Sequence, residues 1–204
     1  MIRLLISFSL ILLPLTSIST EFNGCQTYTE KYNKIYKLPN KLLTSISLVE
    51  SGMVKGNEIN PWPWALNVNG KSQYFDNKKD TMSFLKESLK NNRNVDVGCM
   101  QINYKFHGHK FKNLDHILNP EENVKYAAKF LQKLFKRHKS WNEAISHYHS
   151  SEPARKRKYL IKVRNFWDKL RQRKILIKHT SNQNFDQKKI KYFRQLLKKE
   201  KQHI

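Results

Sequence analysis

Residues 119–135 read NPEENVKYAAKFLQKLF, and this stretch predicts a long amphipathic helix. Asn119 is a typical N-cap residue, Pro120 suits the first helical position, and Glu122 stands where a capping box has its acid. Apolar side chains then recur three and four residues apart, as they do on the buried face of a helix. The stretch therefore favours a mainly helical domain.

Helical periodicity continues on both sides of this stretch. Upstream, residues 26–36 and 42–49 each place apolar side chains on one face, and Asp80 is expected to cap a further helix. Downstream, Ser140 is expected to cap a short helix, and a basic helix is predicted to start at Pro153. Most of the chain is thus predicted to be helical.

The exception is a predicted β-hairpin. Asn69-Gly70 is the strongest short signal for a two-residue hairpin turn, and strand-like segments flank it at 65–68 and 71–75. We therefore predict a mainly α fold in which a helical domain carries one small β-hairpin.

The chain of 204 residues is strongly basic. It holds 39 Lys and Arg against 16 Asp and Glu, a net charge of +23, while 39% apolar residues suffice for a folded core. Residues 155–204 alone contribute +15. Such a charge favours polyanionic partners, namely nucleic acid, an anionic membrane or an anionic wall polymer. The first helix of this basic part can equally pack on the preceding domain through Tyr159, Val163 and Trp167, and a last helix is predicted after residue 184.

The N-terminus resembles a secretory signal peptide, which we place at residues 1–19. Arg3 precedes an apolar run over residues 4–15, and small residues follow the run. The run is shorter than the roughly 20 residues of a membrane-spanning helix, and an uncleaved anchor helix is the alternative. We therefore expect an exported, periplasmic protein, for which nucleic acid is not an expected partner.

Cys25 and Cys99 both lie in the part of the chain that would be exported, and the sequence contains no other cysteine. An even number of cysteines in an oxidising compartment suggests a disulfide bond between them. The alternatives are two buried thiols or, for Cys25, a lipid anchor.

Glu50 is the first candidate catalytic residue. It ends an apolar helix, where the negative end of the helix dipole and the apolar neighbours both disfavour a charged carboxylate. Both effects raise the pKa of the carboxyl group, which suits a general acid near neutral pH. The alternative is a solvated Glu at a frayed helix end.

A second candidate segment, residues 96–103, combines a glycine turn with amide side chains among apolar ones. Amide side chains at such a place suit hydrogen bonding to sugar hydroxyl and acetamido groups. The alternative is an ordinary junction between a loop and a helix. For Asp96 we expect a turn residue that hydrogen-bonds its own backbone.

Four short motifs occur in a characteristic order along the chain. They are Glu50-Ser51-Gly52, residues 98–103, residues 123–128 and Tyr148-His149-Ser150. Together they resemble the catalytic (SLT) domain of the soluble lytic transglycosylases, lysozyme-like enzymes that cleave the glycan strands of peptidoglycan. The resemblance covers roughly residues 25–152. The resemblance implies a mainly α fold of the lysozyme-like α+β type. We therefore expect a catalytic domain at 20–152 after the signal peptide, and a basic helical extension at 153–204.

The resemblance implies a role for each matching position. Glu50 would be the single catalytic residue, first as acid and then as base, and Tyr148 would orient it. Cys99 stands where the family usually has Leu, and His149 where many members have Asn. The positions that would contact the sugar or shape its surroundings are Ser51, Met100, Gln101, Asn103 and Tyr148.

Two features resemble a branch of the family associated with type IV secretion and conjugation. They are the segment Trp62-Pro63-Trp64 beside the hairpin and the motif Tyr148-His149-Ser150. The two tryptophans could stack on sugar rings or pack in the core. The resemblance makes a secretion or conjugation apparatus a candidate partner. The others are the peptidoglycan strands themselves and an anionic wall or membrane surface reached by the basic extension.

The implied reaction cleaves the β-1,4 bond between N-acetylmuramic acid and N-acetylglucosamine without water and leaves 1,6-anhydro-N-acetylmuramic acid ends. The rivals are a lysozyme-type hydrolase on the same fold and a non-catalytic module that binds the wall or a secretion machine. His107 and His109, like His147 and His149, are two residues apart and do not face each other on a helix. We therefore expect neither a metal nor a cofactor.

Overall fold

The structure is a computed structural model that describes residues 24–91 and 93–172. The predicted signal peptide and the helix predicted after residue 184 lie outside the described residues. Among the residues that are described, no helix is long and apolar enough to cross a membrane.

Helices dominate the fold, which confirms the predicted mainly α class. The long helix α6 (Pro120–His138) is central, because α1 (Gly24–Ile35) and α7 (Trp141–His149) both pack along it. In chain order the helices are α1 (Gly24–Ile35), α2 (Leu42–Ser51), α3 (Lys78–Asn91), α4 (Tyr104–His107), α5 (Leu114–Leu118), α6 (Pro120–His138), α7 (Trp141–His149) and α8 (153–172), with a 3-10 turn at Gly108–Lys110.

Local capping sets the start of α6, as predicted. The Asn119 side chain accepts a hydrogen bond from the Glu122 backbone N–H at 3.1 Å, and Pro120 occupies the first helical position. The Glu122 carboxylate binds Lys125 at 3.1 Å, so half of the expected capping box forms. The apolar stripe of the helix is buried in the main core, with Val124 and Leu131 fully inaccessible to solvent.

The β structure is larger than the single hairpin that the sequence predicts. Two strands form the expected hairpin around Asn69-Gly70, with Val68 opposite Lys71. The strands are β1 (Gly52–Lys55), β2 (Glu58–Pro61), β3 (Ala65–Val68), β4 (Lys71–Tyr74), β5 (Val95–Val97) and β6 (Ile102–Asn103). Strands β5 and β6 extend the expected hairpin to a four-stranded antiparallel sheet in the order β4-β3-β5-β6, and β1 and β2 form a separate hairpin.

The added strands could not be found by periodicity. β5 and β6 have three and two residues, too few to show the alternation of a half-buried strand. Their effect on the site is direct, because the turn between them carries residues 98–101.

The cap of α3 also differs from the expectation. Asn77, rather than Asp80, caps this helix, and its side-chain oxygen accepts a hydrogen bond from the Asp80 backbone N–H at 3.0 Å. Asp80 lies in the first turn, where an acidic residue is favoured by the helix dipole. The two residues are three apart, which is the spacing between an N-cap and the group that it caps.

The described part of the basic extension is the helix α8, and it packs on the preceding domain. Tyr159 and Val163 are only 4% and 0% exposed in the main core. Near the other end of the helix, the Trp167 indole N–H donates to the Asn40 carbonyl at 2.7 Å. The packed part of the chain therefore continues beyond α7, which matches one of the two roles considered for this helix.

Candidate active site

A cleft of about 510 Å³ lies beside the C-terminal end of α2. Residues from the sheet, from α4 and from helices α6 to α8 complete its wall. The side chains that bear on its chemistry are those of Glu50, Asp96, Gln101, Asn103, Phe106 and Tyr148.

Glu50 is placed at this cleft by the way α2 ends. The helix is buried from Leu42 to Leu48, and Glu50 follows on its last turn. A Cβ atom at Gly52 would overlap the Leu48 carbonyl oxygen, so glycine allows the chain to pass directly from the helix into β1. The carboxyl group is therefore held between the apolar core and the open cleft.

Burial raises the pKa of the Glu50 carboxyl group to about 8. The Tyr159 hydroxyl donates a hydrogen bond to Glu50 Oε1 at 2.5 Å and acts in the opposite direction, as does the charge of Lys162. The negative charge of Asp96 raises the pKa of Glu50 further. Glu50 is thus mostly protonated at neutral pH and can act as a general acid.

Tyr159 makes the contact with Glu50 that the sequence analysis assigns to Tyr148. The Tyr148 hydroxyl donates instead to the Met100 carbonyl at 2.9 Å, so Tyr148 fixes the wall of the cleft. The sequence shows Tyr159 only as part of an apolar helical stripe, which is equally typical of core packing. Nothing in that pattern distinguishes a tyrosine that only packs in the core from one that reaches a carboxyl group 109 residues away in sequence.

The turn between β5 and β6 is held by polar groups from α2. The hydroxyl groups of Ser47 and Ser51 both donate to the Cys99 carbonyl, each at 2.8 Å. A disulfide bond joins Cys99 to Cys25 of α1. Ser51 is fully buried and also accepts a hydrogen bond from the Trp62 backbone N–H at 3.2 Å. Ser51 therefore holds the turn in place. Its side chain does not line the cleft, although Ser51 was expected among the positions that contact the sugar.

Asn123 of α6 holds the same turn, a role that was not predicted from the sequence. Its side chain is buried, accepts a hydrogen bond from the Met100 N–H at 2.9 Å and donates to the Val97 carbonyl at 2.9 Å and the Ile117 carbonyl at 3.0 Å. Gly98 adopts a φ of +76°, and a Cβ atom there would press on the Asn123 amide. A polar amide inside the apolar stripe of α6 is the signal that could have revealed this role.

Met100 is not a cleft residue. Its side chain is 0% exposed and belongs to the main core. Because Asn123 and Tyr148 hold the Met100 backbone, its side chain is directed away from the cleft. The expectation that Met100 contacts the sugar is therefore wrong for its side chain.

Gln101 and Asn103, two of the positions that the resemblance assigns to the sugar cleft, line the cleft beside Glu50. Gln101 has a φ of +45°, and its amide donates to the carbonyls of Gly98 at 3.0 Å and Ala65 at 3.1 Å. The Asn103 amide donates to Asp96 Oδ1 at 2.7 Å. Both side chains are thereby fixed in orientation at the edge of the cleft.

Asp96 is a strand residue and not the turn residue expected from the sequence. It lies in β5, opposite Asn67 of β3 and Asn103 of β6, and shares the cleft with Glu50. Burial raises the pKa of its carboxyl group, and the hydrogen bond from Asn103 lowers it. The structure therefore places a second carboxyl group in the same cleft.

The histidine pairs considered from the sequence are divided between different surroundings. His107 lines the cleft and shares a hydrogen bond with the Tyr126 hydroxyl at 2.8 Å, while His109 is exposed. His149 also lines the cleft and stacks on the Tyr159 ring at a centroid distance of 4.6 Å. The His147 ring faces Lys156, 2.9 Å away. The two residues of each pair therefore have different surroundings.

The aromatic residues near the hairpins have two roles. Trp62 and Trp64 are 6% and 5% exposed and form a small core of their own with Ala65, so they pack rather than present a face to a sugar. Phe106, by contrast, is 62% exposed and lies at the cleft. An exposed aromatic ring at this place can stack on the apolar face of a sugar ring.

One family of known proteins matches most of the chain. The model of the family described as the transglycosylase SLT domain matches residues 27–167, which includes Glu50, the turn at Gly98 and the Tyr159 of α8. Searches of the curated proteins and of the solved structures found no match. Because the match spans more than half of the 204 residues, the chain belongs to the transglycosylase SLT domain family.

Proposed function

We propose that the protein is a peptidoglycan lytic transglycosylase that cleaves the β-1,4 bond between N-acetylmuramic acid and N-acetylglucosamine. Family membership supports the substrate and the type of reaction. The observation that carries the proposal is the carboxyl group of Glu50, which has a pKa of about 8 and lies in a cleft lined by oriented amide side chains.

In the first step Glu50 acts as a general acid. Its proton passes to the glycosidic oxygen as the bond between this oxygen and C1 of the muramic acid breaks, and the N-acetylglucosamine end leaves as an alcohol. The raised pKa keeps the proton available at neutral pH. The positive charge that develops at C1 would be stabilised by the acetamido group of the same sugar.

In the second step the Glu50 carboxylate acts as a base. The 6-hydroxyl group of the muramic acid attacks C1, and its proton returns to Glu50, which restores the starting enzyme. The Tyr159 hydroxyl, at 2.5 Å, and the charge of Lys162 stabilise the carboxylate between the two steps. The product carries a 1,6-anhydro ring, and no water is consumed.

A lysozyme-type hydrolase is the second candidate, and Asp96 is the observation that favours it. Most glycosidases use two carboxylates, one of which activates water or attacks the sugar. Asp96 lies in the cleft of Glu50 and affects its pKa. Asn103 donates a hydrogen bond to Asp96, which gives Asp96 a structural role in the wall of the cleft. We therefore assign the acid and base steps to Glu50 alone.

The setting of this activity is also a proposal. The N-terminal pattern supports an exported, periplasmic enzyme, and the +15 charge of residues 155–204 supports contact with an anionic wall or membrane. A role together with a type IV secretion or conjugation apparatus rests on the resemblance of two short motifs.

Binding to purified sacculi at low salt, compared between the full chain and a truncation after residue 178, tests the contribution of the distal tail. Equal binding would remove that contribution.

Release of dye from labelled peptidoglycan tests the proposed activity. We expect the wild type to release dye, Glu50→Gln to release none because an amide cannot donate a proton as an acid does, and Asp96→Asn to keep appreciable turnover. Circular dichroism confirms that each variant is folded. If Glu50→Gln turns over as fast as the wild type, the assignment of Glu50 as the general acid is wrong. If the wild type is inactive but still binds sacculi, the result supports the non-catalytic binding module.

A further inference from the structure

Three side chains that can bind a metal meet where α6 is followed by α7. His138 is the last residue of α6, and Glu143 and His147 lie one helical turn apart on α7. One ligand atom of each, a ring nitrogen or a carboxylate oxygen, lies within 4.8 Å of the other two. None of the three residues lines the cleft, so the cluster is separate from the proposed active site.

A positive charge already stands at this cluster. The Lys156 ammonium group of α8 lies 2.7 Å from Glu143 Oε2 and 2.9 Å from His147 Nε2. An ammonium group has only donors, so the His147 nitrogen must present its lone pair to Lys156. A metal ion would use the same lone pair and the same carboxylate oxygen. Two of the three ligand atoms are therefore oriented for a cation.

The spacing of these atoms fits a tetrahedral metal site. His147 Nε2 and Glu143 Oε2 are 3.5 Å apart. Two ligands on a tetrahedral zinc ion, with bonds of about 2.0–2.2 Å, would be about 3.4 Å apart. The agreement means that these two side chains need little movement to share one ion.

His138 is placed to become the third ligand. Its ring stacks on that of His147, with centroids 4.1 Å apart and planes inclined by 7°. The hydrogen bonds of the described residues include none to a ring nitrogen of His138, so a lone pair there is free for coordination. A ring nitrogen of His138 lies within 4.8 Å of a ligand atom of each of the other two residues. Because stacked parallel rings direct their lone pairs side by side, the His138 ring must turn out of the stack to share the ion with His147.

We propose that His138, Glu143 and His147 bind a divalent transition-metal ion, best matched by zinc, and that Lys156 is a competitor built into the same site. Two imidazoles and one carboxylate are a ligand set that zinc accepts, with water in the fourth position. The two nitrogen ligands argue against calcium and magnesium, which prefer oxygen. Binding would exchange the link between α8 and α7 through Lys156 for a link between α6 and α7 through the metal.

Zinc titration of the metal-free, full-length protein by calorimetry tests this site without reference to enzymatic activity. We expect one zinc ion per chain at submillimolar zinc. His147→Ala and Glu143→Gln should each weaken binding by at least about tenfold, since even the loss of a group that supports a ligand costs about 10–100-fold. Lys156→Met removes the competing charge and keeps an apolar side chain of similar length, so it should tighten binding.

His109→Ala is the matched control, because His109 is an exposed histidine outside the cluster and its removal should leave the affinity unchanged. His138→Ala is a second ligand variant should His147→Ala fail to fold. Zinc binding that survives the loss of any two of the three ligands would overturn the proposal. A Lys156→Met variant that binds zinc no more tightly than the wild type would also overturn the proposal. The same holds if neither the wild type nor Lys156→Met binds zinc.

Discussion

Replacement of Tyr159 by phenylalanine should change both the pH profile and the rate of the enzyme. The Tyr159 hydroxyl donates to Glu50 Oε1 at 2.5 Å, and its ring stacks on His149. Tyr159→Phe removes the hydrogen bond and keeps the ring that is buried in the core. The substitution therefore isolates the effect of one hydroxyl group on the proposed acid.

The magnitude follows from the strength of this bond. A hydrogen bond to a charged group contributes about 1.5–3 kcal/mol, and a pKa unit corresponds to about 1.36 kcal/mol. Because the bond favours the carboxylate, its loss should raise the pKa of Glu50 above the present value of about 8, by roughly one to two units. The carboxylate formed in the first step loses the same support, so kcat should fall by roughly 10–100-fold.

The assay is kcat/KM for glycan cleavage as a function of pH. For the wild type the alkaline limb should fall at about pH 8, where the free enzyme loses the proton of Glu50. In Tyr159→Phe this limb should move to higher pH. Tyr148→Phe is the matched control, because the Tyr148 hydroxyl donates to the Met100 carbonyl and the limb should stay where it is. A limb that moves with Tyr148→Phe and not with Tyr159→Phe would refute the assignment.

Three further predictions concern stability. The pKa of Glu50 is about 8 in the folded chain against an ordinary 4.5, so the folded state binds the extra proton and its stability should fall as pH rises between these values. At pH 8 the free energy of unfolding of Glu50→Gln should therefore exceed that of the wild type by about 1–3 kcal/mol, whereas at pH 4 it should not. Thermal unfolding at both pH values would show the difference. Replacement of Cys25 and Cys99 by alanine should cost about 4–5 kcal/mol in urea unfolding, because the disulfide closes a sequence separation of 74 residues; a loss below about 1 kcal/mol would contradict this role. Asn123→Ala leaves three backbone groups without their partner and should cost about 3 kcal/mol or more in the same assay, and a neutral effect would show that the turn does not depend on it.

Local signals in the sequence were sufficient for the elements that are stabilised locally. Asn119 and Ser140 cap α6 and α7, each within its own first turn, and Asn69-Gly70 turns the hairpin. The raised pKa of Glu50 could also be inferred, because burial at the end of an apolar helix follows from neighbours in sequence.

Features that depend on distant contacts could not be inferred in this way. Tyr159 reaches Glu50 only because α8 packs beside α2, and an apolar stripe does not show which partner a tyrosine meets. The orientation of Met100 depends on Asn123 of α6, and Ser51 is buried because the β5–β6 turn lies against α2. Asp96 looked like a turn residue because the strand that carries it has only three residues.

Digestion of purified glycan strands in heavy-oxygen water tests most directly whether Glu50 works with the substrate's own hydroxyl group. If the 6-hydroxyl attacks C1, mass spectrometry should show 1,6-anhydro-N-acetylmuramic acid ends that carry no label and have the mass of the hydrolysed product less one water. If water attacks with the help of Asp96, each new end should be a reducing sugar that carries one labelled oxygen, and Asp96→Asn should be inactive. The account predicts the unlabelled anhydro ends, and labelled reducing ends would contradict it.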